Sequence, residues 1–269
     1  MKKIGFIGAG NMAGALVKGL LRAERCAPAD VWVSDAADTQ LRRLKRAHKV
    51  EGTRDNRALV RGSQTIVLAV KPQVMAQVLD EIRPEATAKK LFVSIAAGFP
   101  LQRLEQGLGV GTRVVRVMPN TPCLVGKGMS VAVAGSHATE ADLKHTLKLF
   151  SACGEAVSIR GEALLDAVTA LSGSGPAFVY AFAEALIDGG VRGGLSSQLG
   201  AKLCFQTIAG AAAMLLETGM SPRDLREMVT SPGGTTLAGL TALDQHRFRD
   251  VVIAAIEAAT RRAHELAGA

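Results

Sequence analysis

A glycine-rich segment near the start of the chain has the residue types and spacing of a phosphate-binding turn. Gly8, Gly10 and the small Ala13 lie between an apolar run at residues 4–7 and a stretch with helical periodicity at residues 11–22. The first glycine permits a tight turn, the second lets the backbone approach a pyrophosphate, and the small third residue lets helix and strand pack. The helix N-terminus then faces the phosphates. This pattern predicts a dinucleotide site.

The residues that follow the second predicted strand indicate whether such a site prefers NADH or NADPH. That strand, Val31 to Val33, ends at Ser34 and Asp35. An acid at this position bonds the ribose of NADH, whereas small polar or basic groups leave room for the 2′-phosphate of NADPH. Ser34, with Asn56 and the nearby arginines, favours NADPH, while an inward-pointing Asp35 would favour NADH. We expect NADPH, with NADH as the alternative.

A lysine follows a third predicted strand. Lys71 comes directly after the apolar run Thr65 to Val70 and precedes Pro72. Ligands of an open parallel sheet bind at the carboxyl ends of its strands, so we expect Lys71 to contact the cofactor. The alternative is a solvated loop lysine.

A second glycine-containing turn lies in the last third of the chain. Residues 231–236, with the sequence SPGGTT, precede an apolar helical segment from Leu237 to Leu243. The unpaired amides at a helix start can bind an anion. The alternative is an N-capping turn in which Thr235 or Thr236 only satisfies backbone donors.

The elements that must position these turns change in type along the chain. Continuous apolar strands alternate with helical stretches in the first part, which is typical of a parallel sheet covered on both faces. Further such runs are at residues 91–95, 114–117, 131–134 and 156–159. Beyond Gly161 the pattern becomes long Ala-rich helices at residues 178–187, 199–216 and 248–266. We therefore expect an α/β, Rossmann-type dinucleotide-binding domain at residues 1–160 and an all-α domain at residues 161–269.

Composition excludes several classes of protein. The chain has 269 residues, 48% of them hydrophobic, and its net charge of +8 is scattered, so we expect no nucleic-acid partner. The four cysteines are far apart, which predicts no metal site and no disulfide framework. We expect no apolar run of the roughly 18 residues that a membrane span needs. The sequence thus predicts a cytoplasmic protein without membrane contact.

Six blocks of sequence carry a resemblance to a known family. They are GFIGAGNMA at residues 5–13, AVKP at 69–72, SIAAG at 94–98, MPNTP at 118–122, LSGSGPAF at 171–178 and SPGGTT at 231–236. Together, and in this order, they resemble pyrroline-5-carboxylate reductase. The resemblance implies an oxidoreductase that reduces the cyclic imine 1-pyrroline-5-carboxylate to L-proline with NADPH or NADH, the last step of proline biosynthesis. It also implies that the helical domain serves dimerisation.

The resemblance and the strand-end pattern together imply the site residues. Cofactor contacts are expected from Gly8, Ala9, Gly10, Asn11, Met12, Ser34, Asn56, Ala69, Val70, Lys71 and Pro72. Substrate contacts are expected from Glu162, Ser231, Gly233, Gly234, Thr235 and Thr236. Among these, backbone amides of the second turn would hold the substrate carboxylate, and the Thr236 hydroxyl would make the catalytic contact with the ring nitrogen. Met118 to Thr121 would lie near the nicotinamide.

The resemblance further implies a homodimer, or a ring of dimers, in which each site combines parts of two subunits. An iminium already carries its proton, so hydride addition needs positioning more than a strong acid or base. We accordingly assign no role to the five histidines. The chain departs from the commoner family pattern at Asp35 and at Cys123.

Two other interpretations remain open from the sequence. A β-hydroxyacid dehydrogenase-like oxidoreductase would need a lysine general base in the first helix of the second half, and residues 173–186 contain none. A non-catalytic dinucleotide-sensing protein would keep Gly8 and Gly10 but would have no reason to keep the second turn.

Overall fold

A computed structural model describes residues 2–268, and its largest element is a single sheet. The eight strands found among these residues are β1 (Lys2–Ile7), β2 (Val31–Ser34), β3 (Glu51–Thr53), β4 (Ser63–Leu68), β5 (Leu91–Ser94), β6 (Arg113–Pro119), β7 (Gly128–Ala134) and β8 (Gly154–Ser158). Their order is β3-β2-β1-β4-β5-β6-β7-β8. The order changes direction at β1 and β4, which is where an open sheet of this kind binds its ligands.

The sheet is parallel with one exception. Strands β6 and β7 run antiparallel, with Val117 opposite Ala132. The prediction that the run at residues 131–134 continues the parallel series was therefore wrong. The connection between the two strands holds only a 3₁₀ turn at Thr121–Val125, which is too short for the crossover that a parallel pair requires.

Helices connect the strands and then form the second half of the chain. They are α1 (Asn11–Arg22), α2 (Asp38–His48), α3 (Asn56–Gly62), α4 (Pro72–Ile82), α5 (Leu101–Leu108), α6 (Glu140–Phe150), α7 (Leu164–Val168), α8 (Gly175–Arg192), α9 (Ser197–Thr218), α10 (Pro222–Met228), α11 (Thr235–Gln245) and α12 (Phe248–Gly268). Short 3₁₀ turns lie at Pro28–Asp30, Arg83–Glu85 and Ser151–Cys153, and a π-helical turn lies at Thr169–Gly173. The predicted Rossmann-type sheet followed by helices is confirmed.

Two apolar layers hold the sheet, one on each face. Neighbouring residues of β1 alternate between them, with Phe6 in one layer and Ile7 in the other. The first layer includes Leu16 of α1, and the second includes Leu79 of α4. Each such side chain, buried completely, stabilises the fold by about 1.5–3 kcal/mol. This burial on both faces explains why the central strands read as continuous apolar runs.

The contacts within the chain divide it into two compact units. One unit runs to Ser174 and takes the end of the chain from Ala258, and the other is Gly175–Glu257. Leu165 is buried in one of the two layers on the sheet, so α7 packs with the strands and belongs to the first unit. The boundary near Arg160 between a nucleotide-binding and a helical domain stays a prediction.

The unit Gly175–Glu257 is helical and buries few of its own side chains. Its described residues include three buried ones, Ala183, Gly200 and Cys204. Large apolar side chains such as Phe205 and Leu216 are exposed. Two stretches, Leu164–Arg192 and Ser197–Thr218, are long and apolar enough to cross a membrane by length and composition alone. The expectation that no stretch would reach that length was wrong. Long Ala-rich helices of a helical bundle have the same length and apolar composition as a membrane span.

Candidate functional site

The first glycine turn lies against the end of a neighbouring strand. Gly8 has a φ of +101°, and a Cβ there would lie 2.6 Å from the Ala69 carbonyl oxygen. The Gly8 N–H donates to the Ser34 carbonyl at 2.8 Å, and the Ala69 N–H donates to the Ile7 carbonyl at 2.8 Å. Only glycine fits this position, both by backbone angle and by space. The turn is thereby fixed between the carboxyl ends of β1, β2 and β4.

The second glycine of the turn faces open space. Gly10 is the N-cap of α1, no side chain caps this helix, and a Cβ on Gly10 would meet nothing within 4 Å. The first amides of α1 are thus available to a ligand. An open space at a glycine beside uncapped amides is what a close approach of pyrophosphate to the backbone requires. The residues present therefore fit a dinucleotide.

A cleft of about 450 Å³ extends from this turn along the strand ends. Of the predicted cofactor residues, it is lined by Gly8, Gly10, Ser34, Asn56, Ala69, Val70 and Lys71. The other predicted cofactor residues, Ala9, Asn11, Met12 and Pro72, are not part of the lining. Ala9 is completely buried, and Met12 packs against the apolar layer that contains α1. Sequence reasoning missed Glu81 on α4, which also lines the cleft.

The Ser34 side chain at the end of β2 is not directed into the cleft. Ser34 borders the cleft, but its side chain is 0% exposed and its hydroxyl donates to Asn56 Oδ1 at 2.6 Å. The Asn56 amide in turn donates to Glu81 Oε2 at 2.8 Å. The Ser34 hydroxyl is therefore engaged inside the protein, and the expectation that it accommodates a 2′-phosphate stays a prediction that this geometry does not favour.

The MPNTP block is tied to the LSGSGPAF block by one side chain. Asn120 Nδ2 donates to the Ser172 carbonyl at 3.1 Å, and Asn120 Oδ1 accepts from the Met129 N–H at 2.9 Å. A Cβ on Gly173 would lie 2.7 Å from the Met118 terminal methyl. Asn120 thus holds the end of β6 to the start of β7 and to the π-helical turn. The sequence indicated both blocks but not this link.

Glu162 takes part in a network within the sheet-containing unit. Its Oε1 accepts from Arg116 Nη1 at 2.5 Å and from the Leu101 N–H at 2.8 Å. The Arg116 side chain is 6% exposed and that of Glu162 is 28% exposed. Glu162 therefore neutralises a buried guanidinium on β6 and caps the start of α5. Both hydrogen bonds use Oε1, which leaves Oε2 for another partner.

The second glycine turn leads directly into α11. Gly233 has a φ of +69°, and Gly234 is the N-cap of α11 with no side-chain cap. The Gly234 N–H donates to the Ser231 carbonyl at 3.1 Å, and a Cβ on Gly234 would meet Ser231 Oγ. Thr235 and Thr236 are thus the first two helical residues and do not cap the helix. The interpretation as a merely capping turn is not supported by this geometry.

The four cysteines are buried, unpaired thiols and are not part of the two glycine turns. Cys26, Cys123, Cys153 and Cys204 are buried and unpaired. Burial raises the pKa of the Cys123 thiol, and burial next to Cys123 raises the pKa of Cys153 to about 11. Both thiols are therefore protonated at neutral pH and pack as small apolar side chains. Within residues 2–268, no three His, Cys, Asp or Glu side chains are grouped so that they could hold a metal ion.

Comparison with known families gives two matches that divide the chain. Residues 162–266 match the family model described as pyrroline-5-carboxylate reductase dimerisation. Residues 3–98 match the model described as NADP oxidoreductase, coenzyme F420-dependent.

Curated relatives match over nearly the whole length. The chain is 45% identical to pyrroline-5-carboxylate reductase of Methanosarcina acetivorans, with 98% of each chain covered. It is 44% identical to pyrroline-5-carboxylate reductase 3 of Danio rerio, over 98% of this chain and 91% of the relative.

Solved structures of the same kind superimpose closely. A pyrroline-5-carboxylate reductase from Coxiella burnetii matches with a TM-score of 0.93 at 36% identity, covering 98% of both chains. A pyrroline carboxylate reductase from Plasmodium falciparum with NADP bound matches with a TM-score of 0.87 at 35% identity, covering 99% of this chain and 98% of the other.

Substitution of the two glycines of the first turn should affect different properties, dinucleotide affinity for Gly10 and stability for Gly8. Gly10→Ala places a methyl in open space, so the free energy of unfolding should change by less than about 1 kcal/mol. The same methyl blocks the approach of a pyrophosphate, so the Kd for a reduced nicotinamide dinucleotide should rise at least about tenfold, or ~1.4 kcal/mol. Urea unfolding and a titration followed by nicotinamide fluorescence measure the two effects.

The matched variant is Gly8→Ala, which should lose about 1–3 kcal/mol of stability because its φ is positive and the Ala69 carbonyl is in the way. Equal losses of stability in the two variants, or unchanged dinucleotide affinity in Gly10→Ala, would contradict the assignment of Gly10 to the cofactor.

Removing the charge of Glu162 should destabilise the protein through Arg116. Glu162→Gln keeps an acceptor for the Leu101 N–H but leaves the guanidinium unpaired. Since Glu162 is partly exposed, the cost should be about 2–3 kcal/mol, below the ~3–5 kcal/mol of fully buried pairs. Replacing both residues, Arg116→Met with Glu162→Gln, should restore more than half of the loss in urea unfolding. If the double variant were as unstable as Glu162→Gln alone, the ion pair with Arg116 would not be the reason that Glu162 stabilises the protein.

Proposed function

Because the chain belongs to the pyrroline-5-carboxylate reductase family, we propose that it reduces 1-pyrroline-5-carboxylate to L-proline by hydride transfer from NAD(P)H, the last step of proline biosynthesis. The observation that carries the proposal is that one chain has two uncapped helix starts, each preceded by a glycine turn, at Gly10 and Gly234. A dinucleotide and a carboxylate are both anions that such starts bind. A protein that only sensed the dinucleotide would need one of them.

The cofactor belongs in the cleft at the carboxyl ends of β1, β2 and β4. The amides at the start of α1 face the pyrophosphate, Gly10 leaves the space for it, and Lys71 on the cleft wall offsets its charge. Ala9, Asn11, Met12 and Pro72 support the turn and the start of α4 from outside the lining. When bound, the reduced nicotinamide supplies the hydride. The protein around it has to hold the ring and exclude water.

The substrate carboxylate belongs at the second turn. Backbone amides of the turn at residues 231–236 bind it, except that of Pro232, which has no N–H, and that of Gly234, which donates to the Ser231 carbonyl. Gly233 and Gly234 give the chain its shape. Within the described residues, the Thr236 hydroxyl has no hydrogen-bond partner and is free to meet the ring nitrogen. The protonated imine accepts hydride at its C=N carbon, and the π-electron pair of the double bond moves onto nitrogen as the lone pair of the amine. No further proton has to be supplied in that step, which agrees with a site whose task is positioning.

Glu162 has a supporting role in this proposal. Its Oε1 is engaged by Arg116 and Leu101, so a direct substrate contact would use Oε2. Arg116 lies on β6, the strand that ends at the MPNTP block, which we place beside the nicotinamide. Asn120 holds that block in shape.

The assay that tests the proposal follows oxidation of NADH and NADPH at 340 nm with 1-pyrroline-5-carboxylate, and identifies L-proline by chromatography. The expected result is oxidation of the reduced dinucleotide and consumption of the imine, with formation of an equimolar amount of L-proline. A β-hydroxyacid dehydrogenase would instead oxidise a hydroxy acid with NAD(P)⁺. The absence of lysine from α8 already argues against that chemistry.

Thr236→Ala should reduce turnover without affecting the cofactor. It removes one hydrogen bond to a charged group, so kcat/KM for the imine should fall about 10- to 100-fold, equivalent to ~1.5–3 kcal/mol. The Kd for NAD(P)H should stay within about twofold, and Thr236→Ser should recover most of the activity. The control is Thr241→Ala on the same helix, whose hydroxyl donates to the Leu237 carbonyl at 2.9 Å. An equal loss of cofactor affinity would count against this role.

We also propose that the protein is a homodimer, or a ring of dimers, in the cytoplasm. A helical unit with so few buried residues needs a partner to cover its apolar faces, because the burial it achieves alone cannot offset the entropy of folding. The family model of residues 162–266 is a dimerisation model, which indicates a second copy of this chain as the partner. This covering, rather than a membrane, accounts for the two apolar helices.

The assembly can be measured by size-exclusion chromatography with light scattering. At micromolar concentration the mass should be at least twice the 28.0 kDa of one chain. Phe205→Glu introduces a charge on an exposed apolar face of α9 and should lower the mass. Val110→Glu, fully exposed on a loop of the sheet-containing unit, should leave it unchanged. A wild-type protein that elutes at the mass of one chain would refute the assembly.

A further inference from the structure

A carboxylate is fixed at the end of the cleft where an adenosine ribose would lie. Asp35 follows β2 directly and lines the cleft. Its Oδ2 accepts the Ala9 N–H at 2.7 Å, and its Oδ1 accepts the Ala37 N–H at 2.8 Å. The first bond attaches the carboxylate to the glycine turn, and the second attaches it to the start of α2, so the two together hold it in one orientation. Each oxygen still has a lone pair for a further donor.

The lining of the cleft around Asp35 carries more negative than positive charge, and its one cation, Lys71, is assigned above to the pyrophosphate. Glu81 lies in the same cleft, so two carboxylates face this space. Arg43 is the arginine that reaches the turn, and its guanidinium donates to the Ala9 carbonyl at 3.0 Å and to Asn11 Oδ1 at 2.9 Å. Its donors are therefore partly used by the turn itself. Ser34, the hydroxyl expected to bind the phosphate, points into the interior.

We infer that this chain prefers NADH to NADPH and that Asp35 sets the preference; the inference deepens the proposed function and rests on it. The Asp35 carboxylate accepts a hydrogen bond from the ribose hydroxyls of NADH. The 2′-phosphate of NADPH would bring about two negative charges against the same oxygens, in a cleft that also holds Glu81. The sequence alone favoured NADPH through Ser34 and Asn56, and the buried direction of Ser34 removes that argument.

The test measures binding of each reduced dinucleotide to the full-length protein without the imine, by titration followed by nicotinamide fluorescence. The Kd for NADPH should exceed that for NADH by about tenfold or more. Raising NaCl from 50 to 500 mM should bring the ratio closer to one, because salt screens the repulsion of the phosphate. This salt arm uses only the wild-type protein. Equal or tighter binding of NADPH would overturn the inference.

Variants then assign the preference to one side chain. Asp35→Asn keeps an oxygen acceptor for one backbone N–H and removes the charge, and Asp35→Ser is a smaller alternative if the first variant folds poorly. Either should lower the NADPH-to-NADH ratio of Kd values by about tenfold. Asp80→Asn, the same change on α4 outside the cleft lining, should leave the ratio within about twofold. An unchanged ratio in both Asp35 variants would refute the role of Asp35.

The kinetic assay separates this inference from the proposed function. With 1-pyrroline-5-carboxylate present, kcat/KM should show the same order of preference as the two Kd values. If NADH binds more tightly but neither dinucleotide is oxidised in the presence of the imine, the proposed reaction fails while the coenzyme preference stands. If neither dinucleotide binds, both fail.

Discussion

The close approach of the Gly8 backbone to the Ala69 carbonyl is the constraint on which the cofactor half of the molecule depends. A side chain at Gly8 would collide with the Ala69 carbonyl where β1 and β4 end. Hydrogen bonds from Gly8 to Ser34 and from Ala69 to Ile7 hold the ends in this position. With the turn fixed, α1 starts with free amides directed at the cleft. The Asp35 carboxylate is oriented by the same turn, because one of its two partners is the Ala9 N–H.

Much of the fold could be predicted because the central strands are buried on both faces. Continuous apolar runs such as Val31 to Val33 indicate such strands, and the boundaries of α1 at Asn11 and Arg22 agree with the predicted ones. The strand Glu51–Thr53 was missed because it has no buried residue and so carries no apolar signal. The direction of β7 was missed as well. The direction of β7 depends on the length of the connection from β6, and the residues of the strand itself do not indicate it.

The candidate site was predictable where the backbone carries the function and less so where a side chain does. Gly8 and Gly10 could be identified because backbone angle and space restrict these positions to glycine. The direction of Ser34 depends on strand register, since a shift of one residue exchanges the two faces of a sheet. The partner of Glu162 is 46 residues away in sequence, and nothing in its neighbourhood indicates Arg116. Such pairs appear only when the strands are placed in order.

The return of the last helix to the sheet-containing unit limits how the molecule can be dissected. From Ala258 onward the chain belongs to that unit, where Ala263 is buried and His264 Nδ1 lies 3.1 Å from Asp166 Oδ2. A fragment that stops at Ser174 would therefore lack part of its own packing. Isolating the nucleotide-binding part calls for an internal deletion that rejoins the chain near Ala258, or for the terminal peptide supplied in trans.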